Sequence, residues 1–163
     1  MYANRNQPVL GMRVWCARHL AQSESVAVLL ADDLILGTGC LGEMLSAYIG
    51  GNMVAVMDVP QNETASYGIV TPGADDGRIV EVNGLVEKPS PADAPSNIAV
   101  VGRYIIEPGV FTHLDRQEQG AGGEIQLTDS LARQIGEVPF SGCLLYTSPS
   151  PRDRTRSRMP SSA

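Results

Sequence analysis

The chain has 163 residues, 43% of them hydrophobic, and a formal net charge of −6. That length fits one domain of the common size of about 100–200 residues and is enough to bury a core. No stretch reaches the roughly eighteen apolar residues of a membrane span, and the acidic balance speaks against a nucleic-acid surface.

The first residues, Met1 to Val9, lack the apolar centre of a signal peptide, so a cytoplasmic protein is expected. Val14 to Gln22 reads as a short helix. Val26-Ala-Val-Leu-Leu-Ala31 is an unbroken apolar run that stops at Asp32 and Asp33. Such a run reads as a strand buried on both faces, as in a parallel sheet covered by helices. Ligands of open α/β sheets bind beyond the carboxyl ends of strands, where these acids stand. Asp32 is therefore a candidate ligand of a divalent cation, which favours oxygen donors, or else a turn cap. Leu41, Met44, Leu45, Tyr48 and Ile49 recur at helical spacing before Gly50-Gly51. Met53 to Val59 is a second buried-type strand closed by Pro60. Strand, helix and strand in this order predict a βαβ unit.

Tyr67 to Thr71 reads as a strand, with turns at Pro72-Gly73, at Asp75-Asp76-Gly77 and at Asn83-Gly84. Between them Arg78 to Val82 alternates as a strand, and Leu85 to Lys88 is a short one ending at Pro89. Ser90 to Ser96 is a proline-rich loop. Ile98 to Ile106 is a strong strand. Pro108 to Gln117 and the segment around Leu127 to Ile135 are helices, joined by the glycine-rich stretch Gly120 to Gly123.

Three cysteines, Cys16, Cys40 and Cys143, are widely spaced and odd in number, against a disulfide framework or a zinc site. His19 and His113 fall on expected helices and read as surface or packed residues. From Cys143 onward there are four arginines and one acid; without them eight basic and seventeen acidic residues remain, a net of −9. That segment is rich in proline, serine and arginine, without periodicity, and reads as disordered. It resembles a translated sequencing-adapter read, so residues 143–163 are expected to be a non-native tail on a domain of residues 1–142. The rival reading is an Arg/Ser RNA-binding arm.

Three places carry chemistry: Asp32; Gly68, next to Tyr67, where a ligand could approach the backbone; and Glu87-Lys88-Pro89. Lys88 is the only lysine in the chain. Glu87 and Lys88 should start on opposite faces of their strand, and Pro89 pushes Lys88 toward an extended or turn conformation. They reach one ligand only if the strand end bends. A carboxylate that accepts sugar hydroxyls and an ammonium that meets a phosphate would suit a sugar phosphate. An exposed ion pair is the plain alternative.

The order and spacing of Leu30-Ala-Asp32, Tyr67-Gly-Ile-Val70, Val86-Glu-Lys-Pro89, Pro95-Ser-Asn-Ile-Ala99, Val101-Gly-Arg-Tyr104 and Gly120-Ala-Gly-Gly-Glu-Ile-Gln-Leu-Thr-Asp129 resemble the bacterial UTP–glucose-1-phosphate uridylyltransferases. The resemblance covers about Val9 to Gly142. It implies an α/β fold with a Rossmann-like nucleotidyltransferase sheet, mostly parallel, with a β-hairpin insertion. It also implies synthesis of UDP-glucose and pyrophosphate from UTP and glucose 1-phosphate, and a homo-oligomeric parent. By the same resemblance Asp32 binds Mg²⁺, Lys88 contacts the phosphate in a catalytic role, and Gly68, Glu87 and Asn97 hold the sugar. Gly11 is what remains of a two-glycine uridine contact, within Val9-Leu-Gly-Met-Arg-Val14. The family's glycine-rich triphosphate loop and its second metal aspartate have no counterpart here, so a fragment incomplete at both ends, and inactive alone, is expected. The alternatives are a sister enzyme using dTTP and a non-catalytic sugar-phosphate-binding module.

Overall fold

A computed structural model describes residues 10–21, 24–31, 39–116 and 125–145. Helices α1 (Leu10–Cys16) and α2 (Arg18–Ala21) come first, in place of one helix over 14–22. Strand β1 (Val26–Leu29) follows, then α3 (Cys40–Ala47) and β2 (Asn52–Asp58). A 3-10 turn (Gln61–Ser66) leads into β3 (Gly68–Asp75) and β4 (Ile79–Glu87). Then come β5 (Ile98–Ile106), α4 (Val110–Leu114), α5 (Leu127–Ala132) and β6 (Phe140–Leu144).

The six described strands form one sheet in the order β1-β5-β2-β6-β4-β3, and β3 returns to pair with β5 at Ile69 and Ala99, so the sheet closes on itself. The expected α/β sheet is present, but not as a mostly parallel one. Among the described strands only β2 and β6 pair in parallel; every other pairing is antiparallel. The physical reason is the connections. β3 and β4 are joined by a tight turn, which permits only antiparallel pairing. β5 then inserts between β1 and β2, so the two strands of the expected βαβ unit run the same way without touching.

The core sits on both faces of β2, as an apolar run without alternation requires. Val54 and Val56 face a cluster that includes Leu127 and Leu131 of α5, Val110 and Leu114 of α4, and Val14 of α1. Met53 and Ala55 face the other way, onto Met44 of α3. At the head of β2 the fully buried Asn52 donates from Nδ2 to Gln134 Oε1 at 2.8 Å and accepts the Glu107 N–H at 2.9 Å. Buried amides of this kind are tolerated because every exchange with water is replaced. β1 departs from expectation. Among the described strands it is the edge of the sheet and pairs only with β5, and it alternates half-buried with exposed, with Leu29 51% exposed. An apolar groove of about 770 Å³ runs along it, bounded by Leu10, Val14 and Phe111.

Two expected turns lie inside strands. Pro72-Gly73 falls within β3, where the register against β4 shifts, and Asn83-Gly84 falls within β4, where Gly84 packs under the Thr71 side chain. The irregularities bend the hairpin instead of ending it. The Asp75-Asp76-Gly77 turn is real, with Gly77 at φ 87. Asp76 Oδ1 accepts the backbone N–H of Ile79 at 2.7 Å and of Arg78 at 2.8 Å. These bonds, that from Ile79 first, hold the Asp76 carboxyl below its ordinary value of 3.8. A lowered folded-state pKa stabilises the fold above the unfolded value and is lost as pH falls through the folded one. Asp76→Ala should therefore lower the melting temperature at pH 7, with the gap to the parent narrowing as pH falls below the ordinary carboxylate range. A gap that stays constant across an acid series of thermal melts would refute this role.

β6 lies where the sequence pattern suggests no element. It takes in Cys143 and Leu144, so the expected break at 142/143 falls inside a strand that pairs with β2 and β4; residues 146–163 lie outside the described residues. The three cysteines are free, and burial raises the thiols of Cys40 and Cys143.

Candidate functional site

The site is built where the β3–β4 hairpin closes at its open end. Gly68, the first residue of β3, stands opposite Glu87, the last of β4. The next residue, Lys88, has φ 46, the one described non-glycine residue with positive φ. A left-handed conformation costs an L-residue about 1–2 kcal/mol, and a following proline does not favour it. It is held here by the Lys88 N–H, which donates to the Tyr67 carbonyl at 2.9 Å, and by the buried Pro89 beyond. The expected extended geometry is thus replaced by a sharp left-handed bend. This is what puts two consecutive side chains on one side: Lys88 Nζ lies 4.0 Å from Glu87 Oε1. A regular strand would have sent them to opposite faces.

The two charges differ in setting. The Lys88 side chain is 58% exposed, whereas that of Glu87 is 13% exposed. The pair itself is worth little, since the lysine is well solvated. Glu87 is anchored from the other side: Thr128 Oγ1, on α5, donates to Glu87 Oε2 at 2.7 Å. Gly68 lies against both. A Cβ added there would sit 3.3 Å from Glu87 Oε2 and 3.5 Å from Thr128 Cγ2. The glycine is needed for space next to an anchored carboxylate.

The other candidates fall in different places. Asn97 is an exposed loop residue before β5, and its carbonyl accepts the Val59 N–H at 3.0 Å. The pairing of Ile69 with Ala99 sets Asn97 beyond Ile69, on the side away from Gly68. Gly11 is buried in α1, where an added Cβ would fall on the Ile125 carbonyl oxygen, so close helix packing explains a glycine there. Asp32 lies outside the described residues. The strand that leads to it ends beside β5: the Leu30 N–H donates to the Gly102 carbonyl at 2.9 Å, and Arg103 donates to the Leu30 carbonyl at 2.7 Å. β5 is irregular at this point. Val54 of β2 faces Tyr104, yet Val56 faces Val100, and Gly102, at φ 52, lies in the bulge between. β1 and β3 flank the same edge of β5, with β1 ending at Gly102 and β3 entering near Ala99. The exit of β1 and the entry of β3 thus face each other across the bulge.

Sequence reasoning missed Thr128 and Arg103 as site-forming residues. Both lie inside the segments that carry the family resemblance, Gly120 to Asp129 and Val101 to Tyr104, and their position there is the only signal. Among the described residues no group of three or more His, Cys, Asp or Glu side chains is arranged to hold a metal. No described helix is long and apolar enough to cross a membrane.

The closed sheet thus carries an acid–lysine pair beside a glycine at a strand end, and the sequence comparison supplies the class. The chain belongs to the nucleotidyl transferase family, whose profile matches residues 12–141. It is 50% identical over 132 residues to a UTP–glucose-1-phosphate uridylyltransferase of Komagataeibacter xylinus, covering 79% of this chain and 46% of that protein. It is 42% identical over 141 residues to the protein of the same name from Bacillus subtilis strain 168, covering 84% of this chain and 48% of that one. Its fold is similar to a crystal structure of UDP-glucose pyrophosphorylase complexed with UDP-glucose, with TM-score 0.82, 32% identity, and coverage of 88% of this chain and 56% of that one. The chain spans about half the length of the curated relatives it matches.

Proposed function

We infer that this chain is the sugar-phosphate-binding part of a UTP–glucose-1-phosphate uridylyltransferase, which makes UDP-glucose and pyrophosphate from UTP and glucose 1-phosphate. The observation that carries the reading is the left-handed bend at Lys88, which turns an ammonium and an anchored carboxylate to one side of Gly68. The relatives at 42–50% identity bear that name, and a similar fold was solved with UDP-glucose bound. In this reading the described sheet is part of a larger Rossmann-like nucleotidyltransferase sheet. The parent is a cytoplasmic homo-oligomer.

Each residue has a task. Lys88 meets the phosphate of glucose 1-phosphate as a compact point charge. Glu87 accepts sugar hydroxyls, and the lack of a side chain at Gly68 lets the sugar lie close. For Asn97 at the sugar and Gly11 on the uridine side the support is the resemblance alone, since Asn97 lies beyond Ile69, away from Gly68, and Gly11 packs against Ile125. No side chain need become a nucleophile, because the sugar-phosphate oxygen attacks the α-phosphorus of UTP. Catalysis is then positioning plus charge stabilisation. Asp32 offers the hard oxygen donor that Mg²⁺ prefers, and the ion would supply screening of the phosphate charge.

The test is pyrophosphate release by the whole protein with Mg²⁺, glucose 1-phosphate and either UTP or dTTP. Release with UTP, lost in Asp32→Asn, is expected. No release with UTP would end the reading; preference for dTTP would favour the sister enzyme. Binding without release would favour a non-catalytic module. Full activity of Asp32→Asn would remove the metal role from Asp32.

A further inference from the structure

We propose that Thr128 is a positioning residue for the sugar subsite, acting through Glu87. This rests on the sugar-phosphate reading above and adds a residue to it. Thr128 is in α5, which packs on β4, and only 8% of its surface is exposed. Its hydroxyl has one proton to donate and gives it to Glu87 Oε2 at 2.7 Å. The carboxylate is thereby divided. Oε2 is tied to the helix, and Oε1 is left toward Lys88 Nζ at 4.0 Å. An ionised carboxylate has about four acceptor positions, so this single tether leaves the others for ligand hydroxyls.

The tether matters because the glutamate is a three-bond side chain next to an empty glycine position. Gly68 imposes no steric wall on Glu87, since its absent Cβ would have stood 3.3 Å from Oε2. The Thr128 hydroxyl is the close hydrogen bond that holds Glu87 in this rotamer, since its other charged neighbour, Lys88 Nζ, stands 4.0 Å away. Recognition groups lose much of their value when displaced by about 0.5 Å or more, so a fixed rotamer is a gain in affinity. Packing alone does not account for a threonine here, because valine has the same shape and avoids burying a hydroxyl.

The experiment titrates the 163-residue chain with glucose 1-phosphate and, separately, with inorganic phosphate, following the Gly68 amide by NMR. Inorganic phosphate probes Lys88 alone, whereas glucose 1-phosphate probes Lys88 and Glu87 together. Thr128→Val should weaken glucose 1-phosphate binding about tenfold and leave inorganic phosphate within about twofold, and Thr128→Ser should restore the parent value within about threefold. Circular dichroism checks the fold, and Thr128→Ala replaces the valine variant if that one unfolds. Unchanged glucose 1-phosphate binding in Thr128→Val overturns the proposal while leaving the sugar-phosphate site standing. So does an equal loss for both ligands, or a serine variant as weak as valine. If the parent chain binds inorganic phosphate but not glucose 1-phosphate, the proposed function falls and the proposal with it.

Discussion

Lys88→Ala in the whole protein is expected to raise KM for glucose 1-phosphate by about tenfold to a hundredfold, since a charge-assisted bond to phosphate contributes about 1.5–3 kcal/mol. The same position carries a second, opposite effect. Lys88 sits at φ 46, so its backbone is strained for any residue with a Cβ. Lys88→Ala keeps that strain; Lys88→Gly removes it. In unstrained positions glycine is the less stable of the two by about 0.4–1 kcal/mol, because it loosens the unfolded chain. Here the order should invert, with the glycine variant equal to or up to about 1 kcal/mol more stable than the alanine one. Both variants should bind glucose 1-phosphate equally poorly. Chemical denaturation together with steady-state kinetics separates the two effects. If alanine is the more stable by the usual margin, the bend at Lys88 is not strained. If KM is unmoved, the ammonium does not meet the phosphate. Strain of this kind is kept at sites where it sets an arrangement that relaxed backbone would not give.

Gly68→Ala is expected to be nearly as damaging to binding. The new methyl would stand 3.3 Å from Glu87 Oε2 and 3.5 Å from Thr128 Cγ2. The carboxylate cannot simply step aside, because its Oε2 is held by the Thr128 hydroxyl at 2.7 Å. Either that bond lengthens or β3 is pushed off β4. Overpacking of this order costs about 1–3 kcal/mol of stability, and the displaced Glu87 should weaken glucose 1-phosphate by about tenfold or more. Combining Gly68→Ala with Thr128→Ser tests the cause. Serine lacks the Cγ2 that crowds the new methyl, so the double variant should recover part of the stability. An additive double variant would show that the methyl is resisted elsewhere. A Gly68→Ala variant with parental KM would remove the close approach of the sugar at this residue.

Much of the local structure was legible from composition and spacing. The run Met53 to Val59 and the run Ile98 to Ile106 are β2 and β5 almost to the residue, because long apolar, β-branched stretches have few other solutions. The tight turn at Asp75 to Gly77 followed from side chains that cap their own backbone. The candidate site residues Gly68, Glu87 and Lys88 stand out in the sequence through resemblance to a family more than through any property of the tripeptide itself, and the fold brings them to one strand end.

What failed to read has one common cause. An apolar run reports that a strand is buried, not which strand lies beside it. The run at Val26 to Ala31 reads as a central parallel strand, yet β1 is an edge among the described strands, since β5 returns from far along the chain to lie between β1 and β2. Pro72-Gly73 and Asn83-Gly84 have turn composition but are carried into strands by cross-strand pairing, with the register shifting to accommodate them. Phe140 to Leu144 was too short and too close to an aperiodic tail to be recognised, and it becomes β6 because β2 and β4 offer open edges on both sides of it.

The division is clear at the site itself. Residue order alone determined which groups are present: an acid next to the chain's single lysine, with a proline after it and a glycine some twenty positions before. Whether those groups cooperate was decided in three dimensions. The left-handed turn at Lys88 and the hydroxyl arriving from α5 are set by pairing and packing over long separations, where the collective gain of a closed sheet outweighs a local backbone preference.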